Sequence, residues 1–284
     1  MPIVVENLTY SYMTGGPLSN SALNDVSLTI REGEFLGVIG HTGSGKSTLV
    51  QHLNGLLQPE SGKVTVDGLD MADKKQRLQG RKLVGLVFQY PEYQLFEETV
   101  AKDVAFGPRN LGLEEDEIAL RVCDALVTVG LEPERFAQKI PFELSGGEKR
   151  RAAIAGILAM RPKYLVLDEP MAGLDPSGRH EILDMLDALR VKTGCAIVMV
   201  SHSMDDMARC AQRIAVLNKG SIARVGTPQQ IFGQSEMLTS VGLDVPQIAA
   251  LAQGLRQRGV DVPHDVYDLA SMLRFLRERG RRHV

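Results

Sequence analysis

Short apolar runs that alternate with helical stretches dominate the first 220 residues. Residues 34–40 form one such run, which leads into a glycine-rich loop, and residues 47–57 then have leucines close to helical spacing. Further runs that predict buried strands lie at residues 83–88, 164–167, 196–200 and 214–217. Continuous apolar strands that alternate with helices indicate a largely parallel sheet covered on both faces, so we expect an α/β fold.

Two other parts of this region have a different pattern. Residues 3–12 mix apolar and polar positions like an edge strand, and residues 64–68 predict a strand that ends in an Asp-Gly turn. Residues from about 90 to 160 break the alternation, because they predict a loop and then the helices 114–129 and 148–160. We therefore expect a helical subdomain at about residues 90–160.

The pattern changes again after residue 225. Segments 246–258 and 265–279 each predict an amphipathic helix. Their apolar positions are Ile248, Leu251 and Leu255 in the first and Leu269, Leu273 and Leu276 in the second. We expect one domain at residues 1–225 and a C-terminal helical extension at residues 226–284.

Composition narrows the choice of partners. The net charge is −3 and the pI is about 6.1, so no global basic field indicates a nucleic-acid partner. The first residues lack the basic segment and apolar core of a signal peptide. Apolar runs such as residues 152–160 are shorter than the roughly 20 residues that cross a bilayer. Any membrane role must therefore come through a partner.

The glycine-rich loop carries the first chemical signal. Its sequence, Gly-His-Thr-Gly-Ser-Gly-Lys-Ser-Thr, fits G-x-x-x-x-G-K-[ST], in which backbone N–H groups surround a polyphosphate. The lysine reaches the β- and γ-phosphates and the following serine hydroxyl holds Mg²⁺. By itself this pattern predicts only nucleotide binding. The predicted nucleotide-binding residues of the loop are Gly40, His41, Thr42, Gly43, Ser44, Gly45, Lys46, Ser47 and Thr48.

Two carboxylates follow the apolar run at residues 164–167. Asp168, at the strand end, suits a direct or second-sphere Mg²⁺ ligand. Glu169 suits a general base, or at least a residue that orients the attacking water. The alternative is that Asp-Glu-Pro only begins a turn, but the phosphate-binding loop upstream favours the catalytic interpretation.

A further motif, Leu-Ser-Gly-Gly-Glu at residues 144–148, makes the chain resemble the ABC-transporter ATPases over residues 3 to about 225. The signature of that family is usually written LSGGQ, so Glu148 is a departure. The resemblance implies a P-loop NTPase fold with a RecA-like parallel-sheet core, an antiparallel β subdomain and a helical signature subdomain. Ser145, Gly146 and Gly147 begin a helix and so present free N–H groups to an anion. The family implies that this anion is the γ-phosphate held by the opposite subunit.

Other family motifs follow in the expected order. Gln89 resembles the Q-loop glutamine, residues 172–176 resemble the D-loop, and His202 resembles the switch histidine. Tyr12 is placed like the aromatic residue that stacks on adenine, although Tyr10 is close and strand tyrosines usually pack. For His202 the alternative is a helix-capping residue. The resemblance implies ATP and Mg²⁺, with Glu169, His202 and Gln89 as catalytic residues and Ser47, Gln89 and Asp168 at the metal.

The segment around and after Gln89 indicates which class of transporter the ATPase serves. Residues 94–108 resemble the corresponding segment in ATPases of energy-coupling factor (ECF) transporters. Residues 40–54 and 107–110 are most similar to the second of the two paired ATPase subunits in that family. The irregular segment at residues 88–110 contains five aromatic residues, which make it a candidate partner surface unless they pack between subdomains: Phe88, Tyr90, Tyr93, Phe96 and Phe106.

The resemblance extends loosely to the segment after residue 226, where it implies an extension that joins the two ATPases. It implies a heterodimer with a second ATPase subunit, a transmembrane coupling protein and a substrate-binding membrane subunit that captures a vitamin or other micronutrient. The chain would then lie peripherally at the cytoplasmic face of the cell membrane. The alternatives are a homodimeric ATPase of a cobalt or nickel importer and, with less support, a soluble ABC ATPase of DNA repair or translation.

Overall fold

The computed structural model describes residues 1–12 and 20–282. Its strands are β1 (Ile3–Tyr12), β2 (Asn20–Ile30), β3 (Phe35–Ile39), β4 (Ser61–Val66), β5 (Leu69–Asp70), β6 (Val84–Val87), β7 (Tyr164–Asp168), β8 (Ala196–Val200), β9 (Arg213–Asn218) and β10 (Ser221–Gly226). Its helices are α1 (Lys46–Leu53), α2 (Lys74–Leu83), α3 (Val100–Asn110), α4 (Glu115–Thr128), α5 (Pro133–Phe136), α6 (Gly146–Leu158), α7 (Pro176–Thr193), α8 (Met204–Cys210), α9 (Pro228–Phe232), α10 (Ser235–Ser240), α11 (Gln247–Gln257) and α12 (Leu269–Arg282). Short 3₁₀ helices lie at Pro91–Gln94 and Pro141–Glu143.

The predicted parallel sheet is confirmed. Within the described residues, six strands form one sheet in the order β10-β9-β3-β8-β7-β6, and all neighbours pair in parallel except β10 with β9. Because side chains alternate along a strand, Phe35 and Ile39 of β3 join an apolar cluster with the helical region. Leu36 and Val38 join a second cluster with α1 and the other sheet. Both faces are therefore covered.

The second sheet corrects one expectation. It is antiparallel, in the order β2-β1-β4-β5, so β1 pairs on both sides and the prediction of an edge strand is wrong. An alternating pattern reports which face of a strand is buried, and it does not report how many neighbours the strand has. The Asp-Gly turn is confirmed, because Asp67 and Gly68 connect β4 to β5 with φ of 51° and 83°.

The region at residues 90–160 is more regular than the sequence predicts. The expected helices appear as α4 and α6, but the segment before them also contains the 3₁₀ helix Pro91–Gln94 and the helix α3. Gly107 and Pro108 near the end of α3 conceal its helical pattern, because both residue types are poor in helix interiors. Thr99 caps α3 by accepting a hydrogen bond from the N–H of Lys102.

The two predicted C-terminal helices are present as α11 and α12, with α12 beginning four residues later than expected. They form a small apolar cluster of their own, which contains Ala252, Val262, Val266 and Met272. No helix in the described part of the chain combines the length and apolarity needed to cross a bilayer.

Candidate functional site

A cavity of about 460 Å³ lies beside the carboxyl ends of β3, β7 and β8. Parallel strands bring their carboxyl ends to one edge of the sheet, so the loops that follow these strands meet there. The cavity is lined by Tyr12, Ser21, Ala22, Thr42, Gly43, Gly45, Lys46, Ser47, Thr48, Gln89, Glu169 and His202. Residues predicted from separate motifs are therefore brought together around one space.

The glycine-rich loop between β3 and α1 closes on itself. Lys46 Nζ donates hydrogen bonds to the backbone oxygens of Gly40 at 2.7 Å and His41 at 3.0 Å. Gly45 has φ of 102°, and a Cβ there would lie 2.4 Å from the Ala22 oxygen, so only glycine fits. Gly40, His41 and Ser44 do not line the cavity. The Ser44 N–H instead donates to the His41 oxygen within the loop.

The loop ends at the N-terminus of α1, where no side chain in the described residues caps the helix. Its first N–H groups are thus available to an anion, and the helix dipole adds positive potential. Burial lowers the pKa of Lys46, while the carboxylates of Glu169 and Asp168 oppose that shift. These features suit a polyphosphate.

Asp168 provides the test of the predicted metal site. It is buried, and burial raises the pKa of its carboxyl, although a hydrogen bond from the Ser47 hydroxyl opposes the shift. Its Oδ1 atom has no hydrogen-bond partner within residues 1–12 and 20–282. A buried carboxylate oxygen with a free lone pair beside a serine hydroxyl is the donor set that Mg²⁺ prefers. The residues present therefore fit the ion.

Glu169 connects the two neighbouring motifs. Gln89 Nε2 donates to Glu169 Oε2 at 3.3 Å, and His202 Nε2 lies 2.5 Å from Glu169 Oε1. The backbone of Glu169 is left-handed, with φ of 49°, which is uncommon for a residue other than glycine. The alternative role of His202 as a helix cap is wrong, because the adjacent Ser203 caps α8 by accepting from the N–H of Asp206.

Tyr12 lines the cavity, and Tyr10 packs beside it. The Tyr12 hydroxyl lies 3.2 Å from Thr48 Oγ1, and 41% of the residue is exposed. Tyr10 makes edge-to-face contacts with the rings of Tyr12 and His52 at 5.0 and 4.8 Å. Tyr12 thus has an accessible aromatic surface at the cavity, as adenine stacking would require.

The signature residues lie elsewhere in the chain. Ser145, Gly146 and Gly147 do not appear among the described residues that line the cavity. Ser145 is the N-cap of α6, and Glu148 completes a capping box because its carboxylate accepts from the Ser145 N–H at 2.8 Å. The hydrogen bond from the Ser145 N–H lowers the pKa of Glu148. The departure at Glu148 thus has a local structural role.

No steric contact among the described residues explains why positions 146 and 147 are glycine. A Cβ added to Gly146 or Gly147 would meet no atom of the described residues within 4 Å, and neither glycine has a positive φ. By contrast, a Cβ on Gly40 would lie 2.3 Å from the Leu217 oxygen. The start of α6 is therefore an open, uncrowded surface to which another molecule can come close.

One buried contact was missed by sequence reasoning. Arg150 bonds to Glu92 with two of its nitrogens and to the backbone oxygens of Pro170 and Ala172 with the third. The only signal in the sequence is a run of basic residues, 149–151, directly after the signature motif. Such a run is usually read as solvent-exposed.

Comparison with known proteins agrees with this geometry. A sequence model of the family described as ABC transporter matches residues 23–172. A model of an AAA domain also matches residues 140–205, a shorter and partly overlapping segment. A curated relative, the Energy-coupling factor transporter ATP-binding protein EcfA2 of Caldanaerobacter subterraneus subsp. tengcongensis, is 55% identical over 282 residues, which are 98% of each chain.

Solved structures give the same result. The structure of cbiO1 from Clostridium perfringens, part of the ABC transporter complex cbiONQ, has a TM-score of 0.75 and 38% identity, covering 88% of this chain and 98% of that one. The ATP-binding cassette MJ0796, in a dimeric post-hydrolysis state bound to ADP and Pi, has a TM-score of 0.71 and 31% identity, covering 80% and 98%. The chain therefore belongs to the ABC transporter family, among the ATP-binding proteins of energy-coupling factor transporters.

Proposed function

We propose that this chain is the ATP-binding and ATP-hydrolysing subunit of an energy-coupling factor importer, which takes up a vitamin or another micronutrient. The observation that carries the proposal is the pair of separate half-sites. One cavity gathers the phosphate loop, Gln89, Glu169 and His202, and the open start of α6 lies apart from it. Each half needs a second ATPase to complete it.

In this proposal the cavity residues have separate roles in binding and hydrolysing ATP. The loop N–H groups and Lys46 bind the phosphates, and the ring of Tyr12 stacks on adenine. Ser47, Gln89 and Asp168 hold Mg²⁺, which when bound neutralises charge that develops on the phosphates. Glu169 takes a proton from the attacking water or orients it, while His202 fixes the Glu169 carboxylate from the other side.

Two features of the chain support the pairing of two ATPases. Gly146 and Gly147 leave space for the γ-phosphate bound to the partner ATPase, and the similar MJ0796 cassette is dimeric. We take residues 1–225 as the ATPase domain and residues 226–284 as a dimerisation extension. On α12, the apolar stripe is exposed by 61%, 43% and 51% at Leu269, Leu273 and Leu276. Such a stripe on an amphipathic helix is suited to pairing.

The membrane partner is expected in a groove between α3 and α6. The groove has a volume of about 350 Å³ and is mainly apolar, with Leu95, Phe96, Phe106 and Met160 among its lining residues. Phe96 and Phe106 meet edge to face at 5.0 Å, and Phe96 is 62% exposed. We infer that a cytoplasmic helix of the transmembrane coupling protein binds here and that the chain therefore lies peripherally at the cytoplasmic face of the membrane.

The test is purification of the tagged chain with its membrane companions, followed by an assay of ATP hydrolysis. We expect a second ATPase and membrane proteins to co-purify, and we expect hydrolysis that Lys46→Ala lowers by weakening ATP binding in the cavity of this chain. Binding of labelled ATP gives the second measurement, and undiminished affinity in the Lys46→Ala variant would count against the site. A complex without membrane proteins would contradict the transport role.

A homodimeric metal importer is the second candidate, and the likeness to cbiO1, part of a cbiONQ complex, favours it. The EcfA2 relative is more similar, at 55% identity against 38%. The stoichiometry of the purified complex separates the two. Two different ATPases in equal amounts support our proposal, and two copies of this chain support the alternative.

A further inference from the structure

Arg150 is a buried cation whose hydrogen bonds join three segments of the site. Its side chain is 3% exposed. Nε and Nη2 donate to the two carboxylate oxygens of Glu92 at 3.1 and 2.7 Å, a bidentate pair. Nη1 donates to the backbone oxygens of Pro170 at 3.1 Å and Ala172 at 2.6 Å. The guanidinium on α6 is thus fixed on two sides.

The partners of Arg150 lie next to functional groups. Pro170 directly follows Glu169, and Ala172 N–H donates to the Glu169 oxygen at 3.1 Å, so these bonds close the turn that carries the Glu169 carboxylate. Glu92 belongs to the 3₁₀ helix between Gln89, which contacts Glu169, and the aromatic segment that lines the groove. The Arg150 side chain therefore contacts both the turn that follows Glu169 and the 3₁₀ helix that precedes the groove.

Backbone conformation makes this support necessary. Glu169 and Tyr90 are both left-handed, with φ of 49° and 56°, a conformation that persists only where surrounding contacts hold it. At Glu169 those contacts are the N–H bond to the Val200 oxygen and the turn that Arg150 closes. At Tyr90 the next helical turn is anchored by Glu92 on Arg150.

We propose that Arg150 is a positioning residue for hydrolysis, which holds the Glu169 carboxylate in its reactive geometry and couples that geometry to the aromatic segment at the groove. The first part follows from contacts within the chain. The coupling part rests on the proposed function, because it requires a membrane partner in the groove. Occupation of the groove displaces the 3₁₀ helix, and the bidentate bond passes this displacement to α6 and to the turn after Glu169.

The rival explanation is that Arg150–Glu92 is an ordinary structural ion pair. The chain offers a matched control in Arg213, which donates to both oxygens of the buried Glu34 at 3.0 and 2.8 Å and to the Thr29 oxygen. Arg213 and Glu34 have 18% and 7% of their side chains exposed, and neither lines the nucleotide cavity. Breaking this pair lowers stability without touching Glu169.

The experiment compares Arg150→Gln, Arg150→Lys and Arg213→Gln in the complex purified with its membrane companions. We expect Arg150→Gln to lower kcat about 10²-fold, as a misplaced catalytic group does, with the Kd for ATP unchanged within about threefold. Lysine keeps the charge but loses the fork, so Arg150→Lys should fall between Arg150→Gln and wild type. Arg213→Gln should lose a comparable amount of thermal stability and keep its kcat.

A wild-type kcat in Arg150→Lys, or an equal loss of kcat in Arg213→Gln, overturns the positioning role. If Arg150→Gln does not fold, Arg150→Lys alone decides by the same criterion. Glu92→Gln tests the coupling, because it leaves the carbonyl contacts of Arg150 intact. We expect it to keep basal hydrolysis and lose the stimulation by the membrane subunits, and retained stimulation overturns the coupling part. A wild-type complex that hydrolyses no ATP instead refutes the proposed function.

Discussion

Glu169 is held from both sides by side chains of the cavity. Gln89 and His202 each contact one of its carboxylate oxygens, and its strained backbone fixes the direction of the side chain. Because Glu169→Gln keeps the shape of the side chain but removes its basicity, we expect ATP to bind as before. Turnover should fall by about 10²-fold or more. Steady-state hydrolysis by the assembled complex measures this, and an unchanged rate would reject Glu169 as the base.

Two glycines give a contrast at the same scale. A Cβ at Gly147 has open space, so Gly147→Ala should fold with Tm changed by no more than about 2–4 °C. A Cβ at Gly40 meets the Leu217 oxygen, and Gly40→Ala should cost about 1–3 kcal/mol of unfolding free energy.

The rate of hydrolysis by the complex then tests whether a partner needs the space at Gly147, which the fold of this chain does not need. We expect Gly147→Ala to reduce hydrolysis despite its normal stability, because its methyl group fills the surface proposed for the partner's ATP. Wild-type hydrolysis in this variant would show that no close approach occurs at the start of α6. Thermal unfolding of the same preparations provides the control.

At the scale of elements, the five parallel strands were predictable, whereas the strands β2, β5 and β10 and the neighbours of each strand were not. Strands such as β7 and β8 are buried on both faces, so their sequences are almost entirely apolar. Such a run can be recognised in the sequence without knowing which strands lie beside it. The position of β1 inside its sheet and the helix α3 depend on pairing and capping that periodicity does not report. Motif order likewise indicated the cavity residues, but Arg150 was hidden because its bonds join positions 20 to 58 residues apart.

The helix α12 carries a prediction of its own. Leu269, Leu273 and Leu276 are exposed, so replacing all three by glutamine removes little buried apolar surface and should leave the fold of the chain unchanged. If the stripe pairs with the second ATPase, its loss should weaken that association and lower hydrolysis at low protein concentration. Sedimentation of the ATPase pair measures the association. Equal association of the variant and wild type would place the dimer contact elsewhere.

For the whole molecule, the separation of the two half-sites determines which ATP cavity a substitution disables. The phosphate loop and the start of α6 belong to different cavities of the proposed pair. Lys46→Ala therefore disables the cavity of this chain, whereas Ser145→Arg disables the cavity of its mate. If the second ATPase is a different protein, two copies of this chain do not pair with each other. Exchange of subunits then cannot combine the intact phosphate loop of one copy of this chain with the intact signature motif of another copy.

Mixing the two variants tests that arrangement. We expect a mixture of complexes that carry Lys46→Ala and Ser145→Arg to hydrolyse ATP at the average of the two separate rates, even after subunits exchange. Two copies of this chain would behave otherwise, because a mixed pair joins the intact loop of one variant to the intact signature of the other and regains one complete site. Recovery of activity above the average would therefore reject the heterodimer in favour of the homodimer, while still supporting a shared site between two ATPases.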